Sequence, residues 1–78
     1  MNDDELLVLT IVHDGGPAMT LAEVVAYERT GAAGLSRPLG YRRCGVALRD
    51  LVEAGALSRC RRHAQATTYT FATWPRRS

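Results

Sequence analysis

The chain has 78 residues, of which 46% are hydrophobic and 23% are charged, and its formal net charge is +2. This length predicts one small domain over residues 1–78, with a hydrophobic core too small to enclose a large substrate pocket. No apolar run approaches the roughly 20 residues of a membrane span. The acidic start, Asn2-Asp3-Asp4-Glu5, is unlike a secretory or transit peptide. We therefore expect a cytoplasmic protein with no membrane partner.

The charges are divided unevenly along the chain. Residues 1–34 contain one arginine and six acidic residues, whereas residues 35–78 contain nine arginines and two acidic residues. There is no lysine, so every basic side chain is a guanidinium, which can bind a phosphate or a guanine edge through two parallel hydrogen bonds. The asymmetry indicates that one face of the protein meets a polyanion.

An apolar run over residues 6–12 predicts a first helix at about 3–13. Asn2 and Glu5 have the spacing of a capping box, and the acidic first turn suits the helix dipole. A β-strand is the alternative, because a short run that is apolar throughout is ambiguous by periodicity. Gly15-Gly16-Pro17 is expected to end the element.

Two further helices are predicted. Thr20 and Glu23 form a second capping-box pattern and begin a helix over about 20–30. A regular apolar stripe predicts a third helix over about 38–54, and Gly55 is its expected stop.

The beginning of the third helix is the least regular part of it. Ser36 or Arg37 is expected to cap it, with Pro38 in the first turn. Gly40 and Gly45 are expected to weaken this part by about 1 kcal/mol each relative to alanine, so a start nearer Tyr41 is the alternative.

A two-stranded ribbon is predicted after the third helix. Its strands cover about 57–62 and 67–73, and the second is rich in threonine and aromatic residues. Tyr69 and Phe71 alternate onto one face, which is expected to be the core face. The tip of the ribbon, residues 63–66, adjoins several arginines and is therefore basic.

The order of three helices and a ribbon resembles the winged helix-turn-helix domain over roughly residues 5–73. The sequence ALRDLVEAGALSR followed by TYTF is similar to the segment of MarR-, ArsR- and PadR-like regulators where the recognition helix ends and the wing begins. MTLAEVVAYE resembles the preceding helix. The resemblance implies a mainly α fold of the α+β class, a three-helix winged helix-turn-helix with a C-terminal two-stranded wing. The connection of residues 30–38 is longer than in the family, and the long terminal helices through which many members dimerise are not present.

The resemblance implies a sequence-specific DNA-binding protein, a small transcriptional regulator associated with the nucleoid. In such a fold the third helix enters the major groove of double-stranded DNA, and the arginine-rich wing lies on the backbone or in the minor groove. The acidic first helix is expected to face away from the DNA, because phosphates repel it. The residues expected to contact DNA are Ser36, Arg37, Tyr41, Arg42, Arg43, Arg59, Arg61, Arg62 and His63.

One such module is small for high affinity, so a homodimer bound to an inverted repeat is expected. The first helix or the segment around Trp74 would form the dimer contact. Capping of the core is an equally plausible role for Trp74. Val46 is a further candidate for base contact, and Thr67 and Gln65 for hydrogen bonds to phosphate.

Several of these residues could also have a purely structural role. Arg42 and Arg43 also fit the solvated face of an amphipathic helix, Arg49 fits a surface ion pair with Asp50, and the ribbon arginines fit protection of an exposed edge. Tyr41 fits packing on the core as well as contact with a DNA backbone. A winged-helix module that binds a protein partner and no DNA is the alternative function.

Metal and catalytic chemistry have little support in the sequence. Cys44, Cys60 and His63 offer three zinc ligands without a second closely spaced pair to complete a structural site. His13 lies beside Asp14, which is more typical of a surface histidine at the end of a helix than of a general base. We therefore expect no enzyme, cofactor, bound metal or small-molecule substrate.

Overall fold

Three helices and a three-stranded antiparallel sheet form the part of the chain that the structure describes. It is a computed structural model, and it describes residues 2–31, 38–61 and 66–74. The elements in chain order are α1 (Asp3–Gly15), β1 (Met19–Thr20), α2 (Leu21–Arg29), α3 (Gly40–Glu53), β2 (Leu57–Cys60) and β3 (Thr68–Phe71). The order of the strands across the sheet is β1-β3-β2. This architecture belongs to the α+β class, as the sequence predicted.

The first apolar run is a helix, so the alternative of a β-strand is wrong. The side chain of Asn2 accepts a hydrogen bond of 2.8 Å from the backbone N–H of Glu5 and caps the helix. The run is apolar on almost every side because α1 buries Val8, Leu9, Ile11 and Val12 against the other elements. The helix continues to Gly15, two residues beyond the predicted end.

The second helix begins with the predicted capping box. Thr20 Oγ1 accepts from the N–H of Glu23, and Glu23 Oε1 accepts from the N–H of Thr20. The sequence analysis did not predict β1, which precedes this helix and pairs antiparallel with β3, Met19 opposite Tyr69. Two residues are too few to carry a periodic pattern, so nothing in the sequence marked this strand.

The third helix begins at Gly40, two residues later than predicted. Pro38 therefore lies before the helix and not in its first turn, and Leu39 is an N-cap without a side-chain hydrogen bond of its own. Gly40 has a φ of 84°, in the left-handed region that favours glycine. The prediction that Gly40 weakens the helix is wrong, because at this position the glycine permits the turn into the helix.

The end of α3 forms a Schellman motif at the predicted stop. The N–H of Ala56 donates to the carbonyl of Leu51 at 2.9 Å, and that of Gly55 donates to Val52 at 3.1 Å. Gly55 has a φ of 80°. The chain turns there and enters β2 directly, so α3 and the β2–β3 ribbon are joined by a short, hydrogen-bonded connection.

The β2–β3 ribbon is shorter than predicted on the described residues, which do not include residues 62–65. Leu57 lies opposite Phe71, and Arg59 lies opposite Tyr69. Side chains at opposed positions point to the same face of a sheet, so these four share one face. Leu57 on that face is buried, which identifies it as the face turned toward the helices.

The core takes side chains from all three helices and from the ends of the sheet. It consists of Val8, Leu9, Ile11, Val12, Met19, Val24, Val25, Cys44, Ala47, Leu48, Leu51, Ala56 and Leu57. Within the described ranges, every helix is too short or too polar to cross a membrane.

Candidate nucleic-acid interface

The outward face of α3 is centred on Arg42, Val46 and Arg49. Successive residues of an α-helix are rotated by about 100°, so these three form a stripe opposite the buried side of the helix. All three are exposed, and Val46 retains 45% of its accessible surface. Val46 is a branched apolar side chain exposed between two arginines, an arrangement that suits contact with a base edge and a thymine methyl group.

Arg43 lies on the flank of α3 that packs beside α1. Its Nε donates to Asp4 Oδ2 at 2.9 Å, and its Nη2 donates to Asp4 Oδ1 at 2.7 Å. The hydrogen bond and the charge of Asp4 raise the pKa of Arg43 above its ordinary value. Asp4 of the acidic first helix therefore lies at the border of the arginine-bearing face of α3.

Tyr41 lies on the opposite flank of α3. It is 53% exposed, so it does not pack into the core. With Thr20, Thr67 and Tyr69 it lines a groove of about 400 Å³ between the start of α2, the start of α3 and the part of the β2–β3 ribbon that adjoins its tip. Hydroxyl groups on three sides of an open groove are suitable donors to a phosphate oxygen.

The ribbon contributes two described arginines, Arg59 in β2 and Arg61 immediately after it, and both are exposed. Arg59 shares a face of the sheet with Tyr69 and therefore lies on the side of the Tyr41 groove. Among the described residues, neither of these arginines forms an ion pair, and nor does Arg42. The other predicted contact residues, Ser36, Arg37, Arg62 and His63, lie outside the described residues.

Arg49 pairs with its neighbour in sequence. Its Nη2 lies 3.5 Å from Asp50 Oδ1, which confirms the predicted surface ion pair. The contact is long and both side chains are solvated, so it contributes little to stability. Arg49 remains on the outward face despite this contact.

The buried carboxylate of Glu28 holds the beginning of α3. Glu28 was not among the predicted site residues. Glu28 is 1% exposed, and its Oε2 accepts from the backbone N–H of Leu39 at 3.3 Å. Its Oε1 lies 2.9 Å from Cys44 Sγ, which donates to it. Glu28 thus caps α3 from α2, where the helix dipole favours a negative group. The sequence carried a signal, because Glu28 follows Val24 and Val25 on the core-facing stripe of α2.

Cys44 is buried, and its thiol is shielded from solvent. Burial, and then the hydrogen bond to Glu28, raise the pKa of its thiol to about 12. Cys60 is exposed, and both cysteines are free. In the described ranges no three of the histidine, cysteine, aspartate and glutamate side chains are grouped to hold a metal ion.

An aromatic cluster covers the end of the core remote from the start of α3. The ring centroid of Phe71 lies 4.7 Å from that of His13 and 5.2 Å from that of Trp74. Nδ1 of His13 lies 2.7 Å from Asp14 Oδ1. Trp74 caps this edge of the core and still keeps 45% of its surface exposed, so both roles predicted for it are compatible with its position.

Comparison with known proteins finds no matching family model, no matching curated protein and no matching solved structure.

Proposed function

We propose that this protein binds double-stranded DNA, as a small transcriptional regulator of the winged helix-turn-helix type. The observation that carries the proposal is the outward stripe of α3, where Arg42, which has no ion pair among the described residues, stands one turn from the exposed Val46. The element order supports it, because the antiparallel β2–β3 ribbon follows α3 directly and occupies the place of a wing.

In this proposal α3 lies in the major groove and the ribbon lies on the backbone. Arg42 reads a guanine edge, and Val46 contacts a base one helical turn, about 6 Å, further along the axis. Arg59 and Arg61 bind phosphates on the flanking strand. Tyr41 and the neighbouring groove receive the backbone between the two.

We further propose that two copies bind an inverted repeat. Leu6 and His13 lie two turns apart on α1, and both are exposed, as is Trp74 beside His13. An apolar side chain, an imidazole and an indole on one outward side of the molecule are suitable for contact with a second copy. The operator would then have two half-sites related by the same two-fold symmetry.

The test measures affinity for mixed-sequence duplex DNA over a series of salt concentrations. We expect the wild type to bind at low salt, with an affinity that falls steeply as salt rises. Arg42→Ala should weaken this binding and reduce the steepness of the plot of log affinity against log salt by about 0.9, the value for one lost contact. Arg29→Ala is the charge-matched control, because Arg29 is an exposed arginine at the end of α2, outside the stripe and the ribbon.

Two outcomes would reject the proposal. Wild-type protein that shows no affinity for duplex DNA at low salt excludes DNA as the partner. If Arg42→Ala and Arg29→Ala reduce the affinity for duplex DNA equally, the affinity depends only on net charge and α3 does not enter the groove.

A protein-binding module is the second candidate function, and one observation favours it. A cleft of about 160 Å³ separates the first turn of α1 from α3, and its lining combines both signs of charge with exposed apolar surface. Asp4 and Asp50 line this cleft together with Arg42 and Val46. The two carboxylates would repel a phosphate, whereas a mixed peptide surface tolerates both signs of charge. The same salt series distinguishes the two functions, because this module would not bind duplex DNA at low salt.

A further inference from the structure

The ion pair between Asp4 and Arg43 differs from the other surface ion pairs of the described residues. It joins residues 39 positions apart in sequence, on two different helices, and uses two parallel hydrogen bonds. The other two pairs, His13–Asp14 and Arg49–Asp50, join sequence neighbours through a single contact. A bidentate arginine–carboxylate pair has the geometry that the same guanidinium would use for a phosphate.

The position of Asp4 is fixed by the packing of α1 on the core. The residue lies in the first turn of α1, where the helix dipole favours a carboxylate, and the next turns of that helix are buried in the core. Its side chain is 28% exposed, whereas that of Arg43 is 60% exposed. The carboxylate is thus the less exposed partner of the pair, and it lies on a helix that is anchored in the core.

A phosphate approaching Arg43 meets a second acidic group. Asp50 lies two turns along α3 from Arg43 and lines the same cleft as Asp4. Asp4 occupies the edge of the guanidinium formed by Nε and Nη2, so an incoming phosphate must either displace this carboxylate or use the remaining N–H donors while lying close to it. Like charges at such separations oppose binding, most strongly at low salt.

We propose that Asp4 is an intramolecular competitor of DNA phosphate, which occupies the Arg43 guanidinium and withholds one backbone contact from the free protein. This inference rests on the proposed DNA binding and adds an autoinhibitory contact to it. Arg42, one residue away, forms no ion pair among the described residues and stays available. The two adjacent arginines therefore have opposite roles, one presented to the DNA and one masked.

The experiment compares Asp4→Asn with Asp3→Asn. Both variants remove one negative charge from the first turn of α1, but only Asp4 pairs with Arg43. Affinity for mixed-sequence duplex DNA is measured over a salt series. Asp4→Asn should bind on the order of tenfold more tightly than Asp3→Asn at low salt, and its plot of log affinity against log salt should steepen by about 0.9, the value for one added phosphate contact.

Arg43→Ala provides the second arm. Alone it should change wild-type affinity much less than Arg42→Ala does, and in the Asp4→Asn background it should abolish the gain. Asp4→Glu, which keeps the charge, should bind like the wild type. Thermal unfolding of each variant separates these effects from a loss of folded protein.

Equal affinities for Asp4→Asn and Asp3→Asn, with binding that still depends on Arg42, would overturn the competitor and leave the proposed function intact. A loss from Arg43→Ala alone as large as that from Arg42→Ala would also overturn it, because Arg43 would then contact DNA in the wild type. If no variant binds duplex DNA at low salt, the proposed function fails together with the inference.

Discussion

The buried carboxylate of Glu28 joins the end of α2 to the beginning of α3, and its truncation tests whether that contact fixes the helix. In Glu28→Ala the N–H of Leu39 loses its acceptor, which costs about 1–3 kcal/mol for a polar group away from water. The Cys44 thiol loses its acceptor as well, and the space of the side chain is left empty at a site only 1% exposed. Together these losses predict destabilisation by about 3 kcal/mol.

Glu28→Gln separates the hydrogen bonds from the volume. The amide is close to the carboxylate in size and keeps one carbonyl oxygen for Leu39, so we expect a loss of only about 1 kcal/mol from replacing a charged acceptor with a neutral one. Glu53→Ala is the control, because Glu53 is exposed and makes no side-chain hydrogen bond within the described ranges. It should change the free energy of unfolding by less than about 0.5 kcal/mol.

Urea unfolding followed by far-ultraviolet circular dichroism measures these differences. For a domain of this size, 1 kcal/mol corresponds to a shift of about 4–8 °C in Tm, so Glu28→Ala should melt more than 10 °C below the wild type. Equal losses for the alanine and glutamine variants would refute the reasoning, because the hydrogen bonds would then contribute nothing beyond charge. A loss below about 1 kcal/mol for Glu28→Ala would refute it as well.

Two glycines of α3 and the two cysteines give further predictions whose direction is fixed by the structure. Gly45→Ala should raise the free energy of unfolding by about 0.5–1 kcal/mol, because the added methyl group would lie in ordinary contact, 3.7 Å from Leu21 Cδ2. Gly40→Ala should lower it by about 1 kcal/mol because of the φ of 84°, and urea unfolding that ranks the two variants the other way would contradict the left-handed start of α3. A thiol reagent should modify only Cys60 in native protein and both cysteines in urea; two equivalents in native protein would contradict the burial of Cys44. The pKa of Cys44 is about 12 in the fold against an ordinary 9.0, so its contribution to stability is present below pH 9 and is lost as pH rises toward 12. Between pH 9 and 12 the free energy of unfolding of the wild type should fall by up to about 1.4 kcal/mol per pH unit more than that of Cys44→Ala. Urea unfolding at several pH values measures this difference.

The local parts of the fold were predictable because their signals lie within a few residues. The Thr20–Glu23 capping box and the stop at Gly55 are fixed by short-range hydrogen bonds, and both are where the sequence placed them. The two residues of β1 acquire their strand only by pairing with β3, about 50 positions later in the chain. The left-handed Gly40 was also unpredictable, since it depends on the angle at which the chain enters α3.

The candidate site was predictable only in outline for the same reason. The arginines of α3 and of the ribbon stood out by composition, but which of them are available depends on contacts between distant segments. Asp4 and Arg43 meet because α1 packs against α3, and no local pattern announces that pair. Glu28 was visible as an acidic residue on an apolar stripe, but its partners were not.

The acidic first half and the arginine-rich second half of the chain therefore do not form two separate surfaces in the folded protein. An acidic residue of the first half neutralises Arg43, and Asp50 neutralises Arg49, so that Arg42, Arg59 and Arg61 remain as the exposed arginines of α3 and the ribbon that are unpaired among the described residues. Affinity for DNA grows with the number of phosphates neutralised, and the two phosphate contacts proposed among the described residues, from Arg59 and Arg61, are few beside the 6–10 of a strongly salt-dependent binder. Two copies on an inverted repeat would double that number without any new contact in either copy. The proposed masking of Arg43 and the proposed dimer are thus linked, because a second copy would supply phosphate contacts in place of the one that is withheld.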